Sequence, residues 1–397
     1  MNRFLYIGLF LFIEAVLIGY LAWTNTPFMT ISPDGQLYYN LAENVASGNG
    51  LINTVRQENI IVPPFFALVI APFVFFFHAP EAYMVFQYIV YGLNGVFLAC
   101  VGAKLFQSRA AGVWSAVLYA VHPVLLLNGP QFLLTETLFV TFLLTVVYLV
   151  MRLFEKEKKN GLFAALLFVL SLSLLYRPHL LYVFILVFGL WVLFAAKKKM
   201  RIWSIAFFAI PVVLLGLNGL YNQSLHGTFV TLENYSGQNL YIANNPETKV
   251  DFYASTRLSQ FVEPEYFEYE ELTLSERSSV LKEKAFSYIL ADPLAMVERM
   301  VLKMGLFFKG IFVIDTITLV LALAGMILAF WKSGMNKWML SFFVLYIVGF
   351  AAMTSLGLLV GGQRYRAPIV PVYLLFAGYV LGSVSLFIKK RKTKEIR

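Results

Sequence analysis

Apolar runs of bilayer-crossing length recur along the whole chain, and this constrains its fold more than any other feature. Ten are long enough to cross as helices: Phe4–Trp23, Tyr83–Ala103, Ala110–Leu127, Gln131–Met151, Gly161–Tyr176, His179–Ala196, Ile202–Leu220, Ile311–Trp331, Trp338–Val360 and Ala367–Ile388. A spanning helix needs roughly 20 apolar residues. Within lipid the backbone must satisfy its own polar groups, so these runs predict an all-α polytopic membrane protein with about ten transmembrane helices. An eleventh run, Pro64–Phe77, is short, follows Pro63 and ends at His78-Ala79-Pro80. Only 13% of the residues are charged, against roughly 25% in a soluble domain. Met1–Tyr20 reads as a retained first helix, because its apolar part is long and no small-residue cleavage site follows.

Charge placement sets the topology. The net charge is +9, but the basic residues cluster in short turns between spans, which argues against nucleic acid as a partner. Suppose Pro64–Phe77 does not cross and the N-terminus is cytoplasmic. Then Arg3, Lys104/Arg109, Arg152/Lys156/Lys158/Lys159, Lys197-Lys198-Lys199/Arg201, Lys332/Lys337 and the tail Lys389–Arg397 all face the cytoplasm. These are most of the 31 Lys and Arg residues. The opposite choice would translocate the basic tail. Pro64–Phe77 is therefore expected to be a re-entrant or juxtamembrane helix on the outer side of a cell membrane.

Three regions follow. Residues 1–220 form an N-terminal transmembrane module whose first outer loop is 24–80. Residues 221–310 form an extracytoplasmic cap. Residues 311–397 supply the last transmembrane helices and the basic tail. The cap is expected to hold a helix over Ser275–Leu290. An amphipathic helix, Leu294–Phe308, should follow Asp292-Pro293 and place Arg299, Lys303 and Lys309 at the interface. The single cysteine, Cys100, allows no internal disulfide.

Few residues could carry chemistry. Asp34 lies in the first outer loop, where a water-soluble group can meet a lipid-borne one; it also suits the N-cap of a helix over Gly35–Ser47. Glu136 lies at the outer end of the fourth span, where an ionisable group is costly unless it faces a cavity or a partner; a place in a helix first turn is the plainer account. Arg177, Arg364 and Arg366 break the positive-inside pattern. The planar fork of Arg suits phosphate, while snorkelling to headgroups is the alternative. Glu14, inside the first span, reads as a helix–helix hydrogen-bonding group. The four histidines have no metal-ligand spacing.

Several stretches together resemble the polytopic C-superfamily glycosyltransferases, the GT-C fold of protein O-mannosyltransferases and lipid A aminoarabinose transferases. They are Pro33-Asp34-x-x-x-Tyr38-x-x-x-Ala42 with Gly48-Asn49-Gly50 and Pro63-Pro64; Leu134-Thr135-Glu136-x-Leu138-Phe139; Arg177-Pro178; Asn239–Pro246; and Arg364-Tyr365-Arg366-x-Pro368. The order and spacing of these stretches cover nearly the whole chain. Many relatives carry Asp-Glu where this chain has Asp34-Gly35. The chain is also short for a protein mannosyltransferase, so a small bacterial cell-envelope transferase fits better.

The resemblance implies inverting transfer of a sugar from a polyprenyl-phosphate donor to a glycan, lipid or protein acceptor. Asp34 would be the catalytic base, with Glu136 as the other candidate. Arg364 and Arg366, with Arg177 or Lys303, would bind the donor phosphate. Tyr38, Tyr39, Asn244, Asn245 and Tyr365, in or beside the same stretches, would line the substrate site. No ligand cluster supports a metal, although a divalent ion could assist. The alternatives are a lipid-linked glycan flippase or transporter, a membrane scaffold, and a polymerase or ligase with a pyrophosphate-linked donor. Broken helices in paired halves would favour a transporter, and no internal repeat of that kind is visible.

The topology is testable by cysteine labelling from outside. Probes at Gly48 and at His78 should both react; protection of the second but not the first would mean that Pro64–Phe77 crosses.

Overall fold

The long apolar runs fold mainly as helices, since helix closure satisfies the backbone that lipid cannot. The computed structural model describes residues 3–55, 59–155, 160–177, 181–198, 201–248, 250, 268–269, 271–310, 312–332, 337–358 and 363–395. Lys156, Lys158, Lys159 and Lys199 of the basic turns lie outside them. The first half runs α1 (Arg3–Thr24), α2 (Pro33–Ala46), α3 (Phe65–Phe77), α4 (Pro80–Leu105), α5 (Arg109–Val121), α6 (Pro123–Leu127), α7 (Glu136–Glu155), α8 (Asn160–Tyr176), α9 (Leu181–Lys198) and α10 (Arg201–His226). The second half runs α11 (Ser236–Asn244), α12 (Leu274–Ala291), α13 (Pro293–Phe307), α14 (Val313–Trp331), α15 (Lys337–Gly357) and α16 (Val370–Glu395). No named strand occurs among the described residues; Thr30 and Phe132 form one isolated parallel bridge.

Among the described residues, six helices are long and apolar enough to cross a membrane: α1, α4, α7, α14, α15 and Val370–Lys389 of α16. Shorter apolar helices are Phe65–Phe77, Arg109–Val121, Gly161–Tyr176 and Val183–Val192. The expected span Ala110–Leu127 is broken into α5 and α6, because Pro123 forces the preceding His122 into an extended conformation. The span expected from Gln131 starts five residues later, at Glu136. The intervening segment is turns and bends, pinned to the first loop by the Thr30–Phe132 bridge. At 1.5 Å per residue, the 13 residues of α3 reach only about 20 Å, short of a hydrocarbon core of about 30 Å.

The bundle is built on close helix contacts. α5 packs against α4 on one side and α16 on the other, and α16 continues onto α14. A Cβ on Gly112 of α5 would overlap the Ala99 carbonyl of α4, and one on Gly378 of α16 would overlap Ser115 of α5. Without lipid-driven hydrophobic attraction between helices, such small-residue contacts supply the packing.

The cap helices appear where the sequence places them. Thr273 and Glu276 form a capping box at the start of α12, and the Asp292 side chain accepts from the Ala295 N–H to cap α13. Lys303 is a correction. It is not at an interface but buried, donating to the Ala243 carbonyl at 2.6 Å, while Arg299 donates to the Asn245 carbonyl at 3.1 Å. Both cations serve the C-terminal end of α11, whose last carbonyls lack helical partners.

Burial pushes Lys303 down to about 7, and Arg299 adds to the shift. An unfolded lysine holds its proton to about pH 10.4. Between these values the unfolded chain binds more protons, so Lys303 makes stability rise with pH from about 7 to about 10. Thermal unfolding of detergent-purified protein across this range should show that slope, and Lys303→Met should flatten it.

Candidate active site

Asp34 reaches its position through local capping. Ser32 is the N-cap of α2, its Oγ accepting from the Gly35 N–H at 3.1 Å, and Pro33 follows with a fixed φ suited to a first turn. Asp34 is therefore not the cap expected from sequence; its side chain is available for other contacts. Gly35 presses against the Leu133 carbonyl so closely that a Cβ would meet it at 2.8 Å. Thr30 N–H donates to the Gln131 carbonyl at 2.8 Å, and Leu133 N–H donates back to Thr30 at 3.3 Å. These contacts place the first turn of α2 beside the first turn of α7, and so Asp34 beside Glu136.

Arg364 joins the two acids. It stands in a single 3-10 turn, Gln363–Tyr365, ahead of α16. Its Nε donates to Glu136 Oε1 at 2.6 Å and its Nη1 to Asp34 Oδ2 at 2.8 Å. Arg177, at the end of α8, brings its Nη1 to 3.4 Å from the same Glu136 oxygen and lies over the Phe139 ring. The Glu136 side chain is 4% exposed and that of Asp34 49%. Burial opposes charge on Arg364, but Glu136 and Asp34 outweigh it and hold the guanidinium protonated. Two acids and two cations make a neutral quartet, which lowers the cost of an acid buried at a helix end.

An aromatic floor lies beneath. Tyr38 meets Phe66 edge-on at 4.8 Å, Phe66 meets Tyr176 at 5.6 Å, and the Tyr176 hydroxyl donates to the Thr135 carbonyl at 2.7 Å. Burial raises the Tyr38 hydroxyl above its ordinary range, so it stays a neutral donor. Above the floor a cavity of about 700 Å³ opens, with Asp34, Tyr38, Arg177, Arg364 and Tyr365 on its wall. Ile185 of α9 and Met353 of α15, with Leu358, give it an apolar side.

Sequence reasoning missed two groups on the same wall, Glu233 and Tyr235. Asn234 between them is buried and fixes the segment. Its side chain accepts from Ile61 N–H at 2.9 Å and donates to the Asn59 carbonyl at 2.8 Å and to Ser275 Oγ at 3.2 Å. The Glu233 carboxyl is pushed up by burial against the weaker pull of Tyr235 and Arg177. In the sequence, Glu233 is one acid of an acid-rich loop, and only its neighbours Asn and Tyr set it apart.

Other expected site residues lie elsewhere. Arg366 is 2% exposed and its guanidinium meets Asp315, the Phe307 carbonyl and the Lys309 carbonyl. Arg364 lies inside the 3-10 turn and Arg366 just past its end, and the two side chains leave in different directions. Asn244 donates to the Leu240 and Leu356 carbonyls, and Asn245 to that of Tyr241; both tie down the end of α11 and neither lines the cavity. Tyr39 and Lys303 are likewise off the wall. Pro178, His179, Gly361 and Gly362 lie outside the described residues. Among the described residues no group of three or more His, Cys, Asp or Glu could hold a metal ion.

Neither a protein-family model nor a curated protein matches the chain. In fold it is similar to the crystal structure of the Archaeoglobus fulgidus oligosaccharyltransferase in its apo form, at a TM-score of 0.50 and 13% identity. The match covers 95% of this chain and 50% of that one, so the chain spans about half the length of the structure it matches.

The two sides of the 3-10 turn should separate in stability. Arg366→Ala takes the guanidinium away from Asp315, whose other carboxylate oxygen stands 3.4 Å from His122 Nε2 in the same sealed site, and should cost about 3–5 kcal/mol. Asp34→Asn, at a half-exposed pair, should change stability by about 1 kcal/mol or less. Thermal unfolding of the purified variants checks both.

Proposed function

We propose that the protein is an inverting membrane glycosyltransferase of the GT-C type. It moves a sugar from a polyprenyl-phosphate donor to a hydroxyl of a glycan, lipid or protein acceptor on the extracytoplasmic face of the cell membrane. One observation carries this reading: a half-exposed carboxylate and two guanidiniums share one wall of a cavity of about 700 Å³. The likeness of fold to a protein named an oligosaccharyltransferase supports it, as do the sequence stretches that resemble the superfamily.

Each part of the donor has a counterpart. The isoprenoid tail lies along the apolar side formed by Ile185, Met353 and Leu358. The phosphate meets Arg364 and Arg177, whose planar donors fit its oxygens. The sugar faces Glu233 and Tyr235, a carboxyl and a phenol suited to ring hydroxyls. Asp34 takes the proton of the acceptor hydroxyl as its oxygen attacks the anomeric carbon from the face opposite the phosphate. The carbon–oxygen bond to the phosphate breaks, and the arginines receive the charge that develops on the leaving group. Glu136 holds both guanidiniums in place; its contacts with them suit positioning rather than the base role first considered.

Two measurements test this in purified, donor-saturated protein supplied with undecaprenyl-phosphate sugars. Asp34→Asn keeps the shape of the side chain but cannot take a proton, so turnover should fall at least ~10²-fold while donor binding persists. Near-normal turnover would remove Asp34 as the base. Glu233→Gln should raise the donor KM by about tenfold with a smaller effect on kcat, as loss of a hydrogen bond to the sugar predicts. Movement of labelled lipid across vesicles with no release of undecaprenyl phosphate would instead make the protein a transporter.

A further inference from the structure

The base proposed for the reaction is engaged by the cation proposed for the phosphate. Asp34 Oδ2 already accepts a charged N–H from Arg364 at 2.8 Å. The reaction needs both groups elsewhere: Arg364 on the phosphate, and Asp34 on an acceptor hydroxyl.

The two arms of Arg364 are unequal. The Nε arm ends on Glu136, 4% exposed, at 2.6 Å, and Arg177 backs the same oxygen. The Nη1 arm ends on Asp34, 49% exposed. Water screens the second pair far more than the first, so the Asp34 arm exchanges at much lower cost. Arg364 itself is 32% exposed and stands on the cavity wall, within reach of an incoming anion. Tyr38 and Tyr365, also on that wall, carry no competing charge at neutral pH, since burial raises both hydroxyls.

We propose that Arg364 is a donor-operated gate on Asp34. In the free protein the guanidinium holds the carboxylate; the phosphate diester of a polyprenyl-linked sugar displaces it at Nη1 and releases Asp34 to the acceptor. Glu136 and Arg177 keep the other arm fixed during the exchange. The charges balance through the reaction. The proton leaves the acceptor hydroxyl for Asp34, whose negative charge is lost. An equal charge appears on the departing phosphate, which becomes a monoester beside the guanidinium that has turned to it. The base is thereby masked until a donor is in place.

This rests on the donor proposed above, and binding measurements separate the two ideas. The probe is undecaprenyl phosphate in nanodiscs, titrated into wild type, Asp34→Asn, Arg364→Ala and the double variant. Removing the competing carboxylate should tighten binding about two- to fivefold, the range of a half-exposed charged pair. That gain should appear only where Arg364 is present. An equal or larger gain in the Arg364→Ala background would mean that Asp34 merely repels the phosphate through space, and the gate would fall. No gain in Asp34→Asn would overturn it as well. If Arg364→Ala does not fold, Arg364→Gln takes its place, since its amide can still donate to Glu136. Absence of binding to wild type would remove the donor reading and the gate together, whereas binding without the expected pattern removes only the gate.

Discussion

The contact of Arg364 with two carboxylates holds the site together. Glu136 lies 228 residues away in the chain and Asp34 lies 330 away. One guanidinium therefore ties the first turn of α2, the first turn of α7 and the 3-10 turn before α16. The geometry is possible because the fork of an arginine presents donors in two directions within one plane. It is also necessary. Glu136 is buried at the end of an apolar helix, and an acid there is stable only with its charge matched. Arg177 supplies the second cation, and the quartet as a whole is neutral.

That contact depends on a second one behind it. The 3-10 turn carries Arg364 toward the cavity and Arg366 into the bundle. There Arg366 meets Asp315 of α14 and the carbonyls that end α13, while His122 and Tyr373 close the same pocket. Breaking such a sealed pair costs far more than breaking an exposed one, so the inner arginine anchors the turn and the outer one is left with an exchangeable arm. The cap follows the same division. Asn234 is spent on scaffold contacts, and its neighbours Glu233 and Tyr235 are presented to the cavity.

Much of this was legible in particular residues. Glu136 stood out because an ionisable group at the end of an apolar run is costly and needs a reason, Arg177 and Arg364 because they break the positive-inside pattern, and Asp34 because it lies in the first outer loop. The reason turned out to be one another. The second cap helix was legible through Asp292-Pro293, whose capping energy is local. Arg366, Lys303, Asn244 and Asn245 lie off the cavity wall; their motifs carry polar atoms without saying where those atoms point. Glu233 went unseen among the acids of its loop.

The sequence by itself determined what depends on near neighbours and on solvent. Its apolar runs fixed an all-helical membrane-type fold, Pro123 fixed the break between α5 and α6, and Ser32 rather than Asp34 fixed the cap of α2. These follow from backbone chemistry and hydration within a few residues. Tertiary structure alone decided which charges meet. Arg364 and Arg366 are two residues apart and chemically identical, yet one faces a cavity and the other a buried aspartate. Only the register of a three-residue turn against α13, α14 and the first turns of α2 and α7 distinguishes them. That register is set by packing across more than three hundred residues of chain, beyond the reach of local propensity.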